Sequence, residues 1–448
     1  MKTYLILYFI VFSFVSDAQI ISTFAGTGLI SNSGDGGQAT SASFKDLASG
    51  AFDKYGNYYI SCGGAGIIRK ISPDGIISAF AGNGIVGYSG DGGPATAAEL
   101  SWAGGLAVDD TGNVYYADAY LFRIRKINIT TGVISTIAGT GIAGYNGDKI
   151  AATSAQINYP NDICFDKIGN LYICEYEGRV RKIDKSGIIT TIAGVGVGGI
   201  LPESALSGSI ATNDTIVPFR ICTDNNNNLY ISDDYARVYK VDTNGILTYF
   251  VGNGSMGLSG DGEQATAAKT IPTTIKMDKY DNLFVLEYGG YKIRMVDHNT
   301  GIISTVVGNG TEGFSGDGGP ATDAEFNTVE EGITFDSCNN MYFCDLNNYR
   351  VRKITYPHCD YLETADIQMY NNLLSIYPNP AYNTLTINSN ELIENIVIMN
   401  DFGQVVFRES GFSTNSQNNS YELNVSNWAT GVYFVNINHD IWRRFVKE

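Results

Sequence analysis

Basic charge, histidine and long apolar runs are what this chain has least of. Lys and Arg number 29 against 46 Asp and Glu, a net charge of −17 over 448 residues. The acids are spread along the chain, so no basic groove for nucleic acid or an anionic membrane surface is expected. Only three histidines occur, His298, His358 and His439. The seven cysteines are irregularly spaced, with no CxxC and none in metal-ligand order with a histidine, which speaks against zinc. The one long apolar run, Tyr4 to Val15, follows Met1-Lys2 and precedes Ser16-Asp17-Ala18, with small residues at −3 and −1. It reads as a signal peptide, residues 1–18, cleaved after Ala18. No later stretch approaches the roughly 18 apolar residues of a membrane helix, so the mature chain is expected to carry no transmembrane segment.

Proline is sparse at 10, while glycine reaches 52 and tyrosine 29. Self-similarity organises them. The phrase IISTFAG at Ile20 returns as IISAFAG (Ile76), VISTIAG (Val133), IITTIAG (Ile188), ILTYFVG (Ile246) and IISTVVG (Ile302), at spacings of 56, 57, 55, 58 and 56 residues. Each unit holds four short runs rich in β-branched and aromatic residues, punctuated by Gly, Asp and Asn. In the third they are ICFD, NLYICE, RVRKID and IITTIAG. This is strand grammar, and a four-stranded unit repeated every 55 to 58 residues favours a radial array over a solenoid. The sequence therefore predicts an all-β chain: a six-bladed β-propeller over 19–356, a polar linker over 357–373, and a small C-terminal β-sandwich over 374–448. Six complete blades result only if the first run, Ile20 to Gly26, pairs with the last, Arg350 to Ile354. That closure leaves no open edge at the seam.

With strands a to d running outward from the axis, the Gly-rich phrase links d of one blade to a of the next. It recurs around Asp35, Asp91, Asp148, Asp261 and Asp317, and the fourth unit replaces it with GILPESALSGSIAT. A phosphate or calcium loop is not needed five times around one ring; glycine supplies positive φ and aspartate an Asx turn, so the phrase is read as a connector. A second column, Asp53, Asp109, Asp166, Asp224, Asp278 and Asp336, is read as hairpin-stabilising across the a–b turn.

These motifs carry two resemblances. The units AGTGxxGxSGDGGPAT, GIAVDxxGNLYxAD and RIRK resemble NHL repeats of the bacterial and teneurin-like variety, over residues 20 to about 356. The family pattern of Asp at the end of strand b facing Arg in strand c recurs as Asp118 with Arg123 or Arg125 and as Asp345 with Arg350 or Arg352. It departs at Cys62, Glu175 and Glu287. The tail, with YPNPAYNTLTI (Tyr377 to Ile387), IVIMNDFGQVV (Ile396 to Val406), LNVSNWATGVYFVNI (Leu423 to Ile437) and RRFVKE (Arg443 to Glu448), resembles the type A C-terminal sorting domain of type IX secretion in Bacteroidetes. It implies the type IX machinery as a partner and a destination outside the cell, released or held at the outer surface.

The b–c and d–a connections emerge on one face. There the acids Asp118, Glu175, Asp233, Glu287 and Asp345 and the five connector aspartates are expected to gather into an electronegative surface. Either the acids pair with strand-c arginines, or they form a cation or basic-ligand site near the axis, where oxygen donors alone suit Ca2+ or Mg2+. Tyr120, Tyr176, Tyr235 and Tyr288 follow the acids in loops and form a candidate recognition surface. No other cofactor is implied. His298 falls in a c–d turn on the opposite face, and His358 and His439 lie outside the repeats, so no histidine cluster or Ser-His-Asp set forms at the axis. Cys338 and Cys359 are candidates for a disulfide pinning the exit of the ring. The favoured reading is a secreted or cell-surface module, not an enzyme, binding a protein or glycan. The alternative is a metal-dependent hydrolase or lactonase using axial carboxylates, and a purely structural surface component is a third.

Overall fold

The computed structural model describes residues 19–196, 207–327, 332–356, 374–378, 380–389, 393, 395–400, 405–410, 420–437 and 441–447. The expected signal peptide, the linker and Cys359 lie outside them, and so does the proposed Cys338–Cys359 pairing. The chain divides into two compact units between Tyr356 and Pro357, and among the described residues it has no α-helix.

Among its described residues the first unit contains six antiparallel sheets. The first comprises Leu47–Phe52, Tyr58–Cys62, Ile67–Ile71 and Ile77–Ala81, and the second Ala103–Val108, Val114–Asp118, Arg123–Ile127 and Ile134–Ala138. The third comprises Pro160–Phe165, Leu171–Glu175, Arg179–Ile183 and Ile188–Ala193, and the fourth Pro218–Thr223, Leu229–Asp233, Arg237–Val241 and Ile246–Val251. Both gain a two-residue edge strand from the preceding connector, Ile150–Ala151 and Ser209–Ile210. The fifth comprises Pro272–Met277, Leu283–Glu287, Lys292–Val296 and Ile303–Val307. The sixth takes Ile333–Phe335, Met341–Asp345 and Arg350–Thr355 from the end of the unit and Ile20–Ala25 from its beginning. The expected closure is therefore present: Ile21 pairs with Ile354, Ser22 with Lys353 and Thr23 with Arg352.

First strands of successive sheets touch in turn, and that of the sixth touches that of the first. Six buried clusters bridge the six junctions. Tyr59 and Ile68 meet Leu106 and Tyr116 between the first and second sheets, and Tyr342 and Val351 meet Tyr58 and Ile60 between the sixth and first. Each sheet is apolar on both faces because each face packs on a neighbour, which is why its second strand is buried from end to end, as in Tyr58–Cys62.

The a–b hairpins are built as the aspartate column predicts. Asp53 Oδ1 accepts the N–H groups of Tyr55 and Asn57, both at 2.9 Å, while Oδ2 accepts Asn57 Nδ2 at 2.7 Å and the Tyr59 hydroxyl at 3.1 Å. The pattern repeats at Asp109, Asp166 and Asp224. In the connectors, Gly90 and Gly316 have φ of +87° and +89°, and a Cβ on either would sit 2.7 Å from the Cα of Ala98 or Ala324. Both conformation and space require glycine there.

The second unit pairs Leu374–Tyr377, Thr384–Ser389 and Ser420–Asn424 in one antiparallel sheet. Val405–Ser410, Asn395–Asn400, Gly431–Ile437 and Ile441–Lys447 form another. Leu385 and Ile387 from the first and Ile396, Ile398 and Val435 from the second share one core.

Candidate binding site

Strand c carries two arginine columns with different tasks. The inner one, Arg69, Arg125, Arg181, Arg294 and Arg352, is at most 2% exposed and organises the connectors. Arg125 Nε and Nη2 reach Asp91 Oδ1 at 3.0 and 2.7 Å, and its guanidinium also donates to the carbonyls of Glu99 and Ser89. Arg69 with Asp35, Arg181 with Asp148, Arg294 with Asp261 and Arg352 with Asp317 repeat the pairing at 2.7 to 3.1 Å. The second connector oxygen is also used: Asp261 Oδ2 accepts the Thr305 hydroxyl and Asp317 Oδ2 that of Thr23, both at 2.6 Å. The fourth unit supports this logic from within the chain. Its connector lacks the aspartate, and Tyr239 stands in the register position of the inner arginine.

The outer column packs on the connector aromatics. Arg123 lies over Tyr88 at 3.8 Å, Arg179 over Tyr145 at 4.0 Å and Arg350 over Phe314 at 4.0 Å, measured to ring centroids. Their guanidiniums donate to loop carbonyls such as Thr140 and Val195.

The five strand-end acids do not lie on a surface. Asp118, Glu175, Asp233, Glu287 and Asp345 are at most 1% exposed, so the electronegative face expected from them is replaced by buried carboxyls behind the loops. Glu175, Glu287 and Asp345 lie 3.3 to 3.5 Å from the inner arginine of their own sheet. Asp233 and Glu287 accept the backbone N–H of Val217 and Ile271, each at 2.7 Å. Neither oxygen of Asp118 completes a hydrogen bond. Among the described residues, no three His, Cys, Asp or Glu side chains converge on a common point.

Burial lifts these acids. Asp118 is pushed up to about 6, against the pull of Arg125 and of nearby donors on Leu121 and Ser101. Burial likewise raises Glu175 and Asp233 to about 7. Two connector acids move the other way: although burial alone would raise them, hydrogen bonds from Thr136 and Arg125 hold Asp91, and those from Thr305 and Arg294 hold Asp261, below the ordinary range. A folded-state pKa above the unfolded value means that stability is complete below the unfolded pKa, near 4, and is lost as pH rises through the folded one. Asp118→Asn, neutral throughout, is expected to match the parent near pH 4 and to exceed it by roughly 3 kcal/mol at pH 8. Thermal melts at the two pH values check this, and equal melting points at pH 8 would contradict it.

The four tyrosines separate. Tyr120, Tyr176 and Tyr288 are exposed and Tyr235 is half-buried. Tyr120 and Tyr176 line a basin of about 440 Å³ with Trp102, Ala119, Tyr159, Asn161, Glu177 and Phe219, while Tyr235 and Tyr288 do not line it. The basin is drawn from the second, third and fourth sheets. Trp102 and Tyr159 precede their first strands, Phe219 lies on its own, and Tyr120, Tyr176 and Glu177 sit in b–c loops. Trp102 and Tyr120 meet edge to face at 6.2 Å and 83°, Tyr120 and Tyr159 at 6.4 Å and 85°, and Tyr176 and Phe219 at 6.3 Å and 73°. Tyr159 holds its ring there from φ of +42°, a conformation that an aromatic residue adopts only when its surroundings impose it.

Sequence reasoning missed Trp102, Tyr159 and Phe219. The signal was the column just before strand a, where Trp102 and Tyr159 stand against Asp46, Val217 and Ile271 in other units. It also missed the interblade tie of Asp162, which accepts the N–H of Ile221 in the next sheet at 2.9 Å. A cavity of about 470 Å³ on the a–b and c–d turn side is lined by Asp166, Asn170 and Asp242, whose polar atoms are spent on turn bonds.

With this geometry in place, comparison with known proteins identifies the tail. Residues 375–447 match the secretion system C-terminal sorting domain. The sorting domain thus coincides with the two-sheet second unit. The repeat region is similar to Teneurin-1 of Gallus gallus, 27% identical over 241 residues, which is 48% of this chain and 9% of that protein; the chain thus spans less than a tenth of that relative's length. It shares its fold with a protein of unknown function from Bacteroides thetaiotaomicron, at a TM-score of 0.55 and 21% identity over 75% of each chain. An auxiliary nutrient binding protein from the same organism gives a TM-score of 0.54 and 18% identity, covering 75% of this chain and 76% of that one. The repeat region has the β-propeller fold, and the chain ends in a sorting domain that marks it for export. Among the described residues no helix is long and apolar enough to cross a membrane.

Proposed function

We propose that the protein is a six-bladed β-propeller exported through type IX secretion to the outer surface or beyond it, where it acts as a binding module. Its tail folds as a small sandwich, and the signal peptide is removed after Ala18. The aromatic basin on the b–c side carries this reading. Concave sites lined by aromatic side chains with a few polar groups, in the size range of about 300–1,000 Å³, are the usual seats of small ligands, and Trp102, Tyr120, Tyr159 and Tyr176 stay exposed where six sheets offer ample interior for aromatic rings. The alternative of a hydrolase using axial carboxylates draws no comparable support, because the strand-end acids are buried and four of them are spent on arginines or backbone N–H groups.

A thermal-shift screen of small metabolites and glycans against the mature protein tests the reading. A ligand at about 100 times its Kd contributes about 2.7 kcal/mol, a shift of roughly 4 °C for a domain of about 340 residues. The shift is expected to disappear in Trp102→Ala and Tyr120→Ala and to persist in Tyr55→Ala, whose exposed ring lies in an a–b turn. A ligand whose shift survives both basin substitutions would place binding elsewhere.

A further inference from the structure

Three features of the basin narrow its ligand, on the reading that it is a binding site. Its rings meet near right angles, at 83°, 85° and 73°. They stand as the walls of a box, where a flat stacking platform would need them coplanar. Its described lining contains one carboxylate, Glu177, and neither Lys nor Arg. Its other polar side-chain groups sit on the rings themselves or on Asn161, and two of them are engaged: Asn161 Nδ2 donates to the Phe219 carbonyl at 3.1 Å, and the Tyr176 hydroxyl donates to Asp234 at 3.2 Å.

We infer that the basin is an aromatic cage for an organic cation, a quaternary or methylated ammonium. The faces of Trp and Tyr rings carry the negative part of the aromatic quadrupole, so rings set around one space attract a cation that cannot itself be satisfied by hydrogen bonds. Glu177 adds a full negative charge at the rim, and the net charge of −17 favours approach of a cation over an anion. The Phe219 ring is engaged by the chain's own Arg220 at 4.6 Å, so the cage rests on the rings of Trp102, Tyr120, Tyr159 and Tyr176.

The experiment is a titration of the full mature protein, followed by tryptophan fluorescence and calorimetry, with choline and tetramethylammonium. The comparison compound is 3,3-dimethylbutan-1-ol, which has the shape of choline without its charge. Both cations are expected to bind and the alcohol to bind at least tenfold more weakly. Trp102→Ala should weaken choline binding at least tenfold, and Glu177→Gln several-fold. Equal binding of alcohol and choline would overturn the cage, as would no binding of either cation at millimolar concentration. A sugar that binds in a Trp102-dependent way while choline does not would overturn the cage and leave the binding-module reading standing. A ligand insensitive to every basin substitution would remove both.

Discussion

Replacing Arg352 with methionine is expected to lower the stability of the repeat region by about 3–5 kcal/mol, the cost of leaving a buried charge without its partner. Arg352 is fully buried and donates to the carbonyls of Glu325 and Ser315, to Asp317 Oδ1 at 2.8 Å and to Asp345 Oδ2 at 3.3 Å. Methionine keeps much of the apolar stem and strands the rest, Asp345 above all, because that carboxyl has no exposure through which water could replace the guanidinium. The double variant Arg352→Met/Asp345→Asn should recover part of the loss, since the residue left behind is then neutral. Arg350→Met, two positions away in the outer column, should cost about 1 kcal/mol or less. Its guanidinium packs over Phe314, and its bond to the Thr27 carbonyl is exposed. Urea unfolding of the three variants checks the ordering, and an Arg352→Met loss no larger than that of Arg350→Met would contradict it.

A chain that begins at Gly26 is expected to lose its soluble, cooperatively folded form altogether. Ile20–Ala25 contributes Ile21 and Ala25, both fully buried, to the clusters on either side of the sixth sheet. It also receives connector bonds at its start: the Gly318 N–H donates to the Ile21 carbonyl at 2.8 Å and the Ala321 N–H to the Gln19 carbonyl at 2.7 Å. Without it, Arg350–Thr355 becomes an unpaired edge six residues long, a template for association between copies. Size-exclusion chromatography should show aggregates where the parent elutes as a single folded species. A truncated chain that elutes and melts as the parent does would show that the strand is dispensable.

The parts of the fold that the sequence made legible are those the repeat states six times. Phrase spacing gave the sheets, and the missing fourth strand of the last unit gave the seam. The aspartate column gave the a–b hairpins, because an Asx-type turn is a local matter decided within five residues. The arginines were placed on the right strand, and Glu175, Glu287 and Asp345 do face the inner arginine of their own sheet, but the second partner, the connector aspartate, was not foreseen. Asp118 and Arg125 stand seven residues apart, yet Arg125 bonds Asp91, 34 residues away, across the whole unit. Depth was also misjudged. An acid at the end of a strand looks like a loop residue, and only the connector folding back over Asp118, Glu175 and their counterparts buries them. The basin was half visible: Tyr120 and Tyr176 follow the acids in order, whereas Trp102, Tyr159 and Phe219 break the repeat's columns. A repeat search weighs what recurs, so residues that depart from it are passed over, and here those departures converge on one face.

Ring closure is the central claim, and an engineered cross-link reads it most directly. Ser22 and Lys353 are paired across the seam, and both are half-buried. Ser22→Cys/Lys353→Cys should oxidise to a single intramolecular disulfide, found by mass spectrometry as one linked peptide, and should raise the melting temperature. Free thiols at both positions in the folded, oxidised protein, or linkage only between separate chains, would contradict the closed ring.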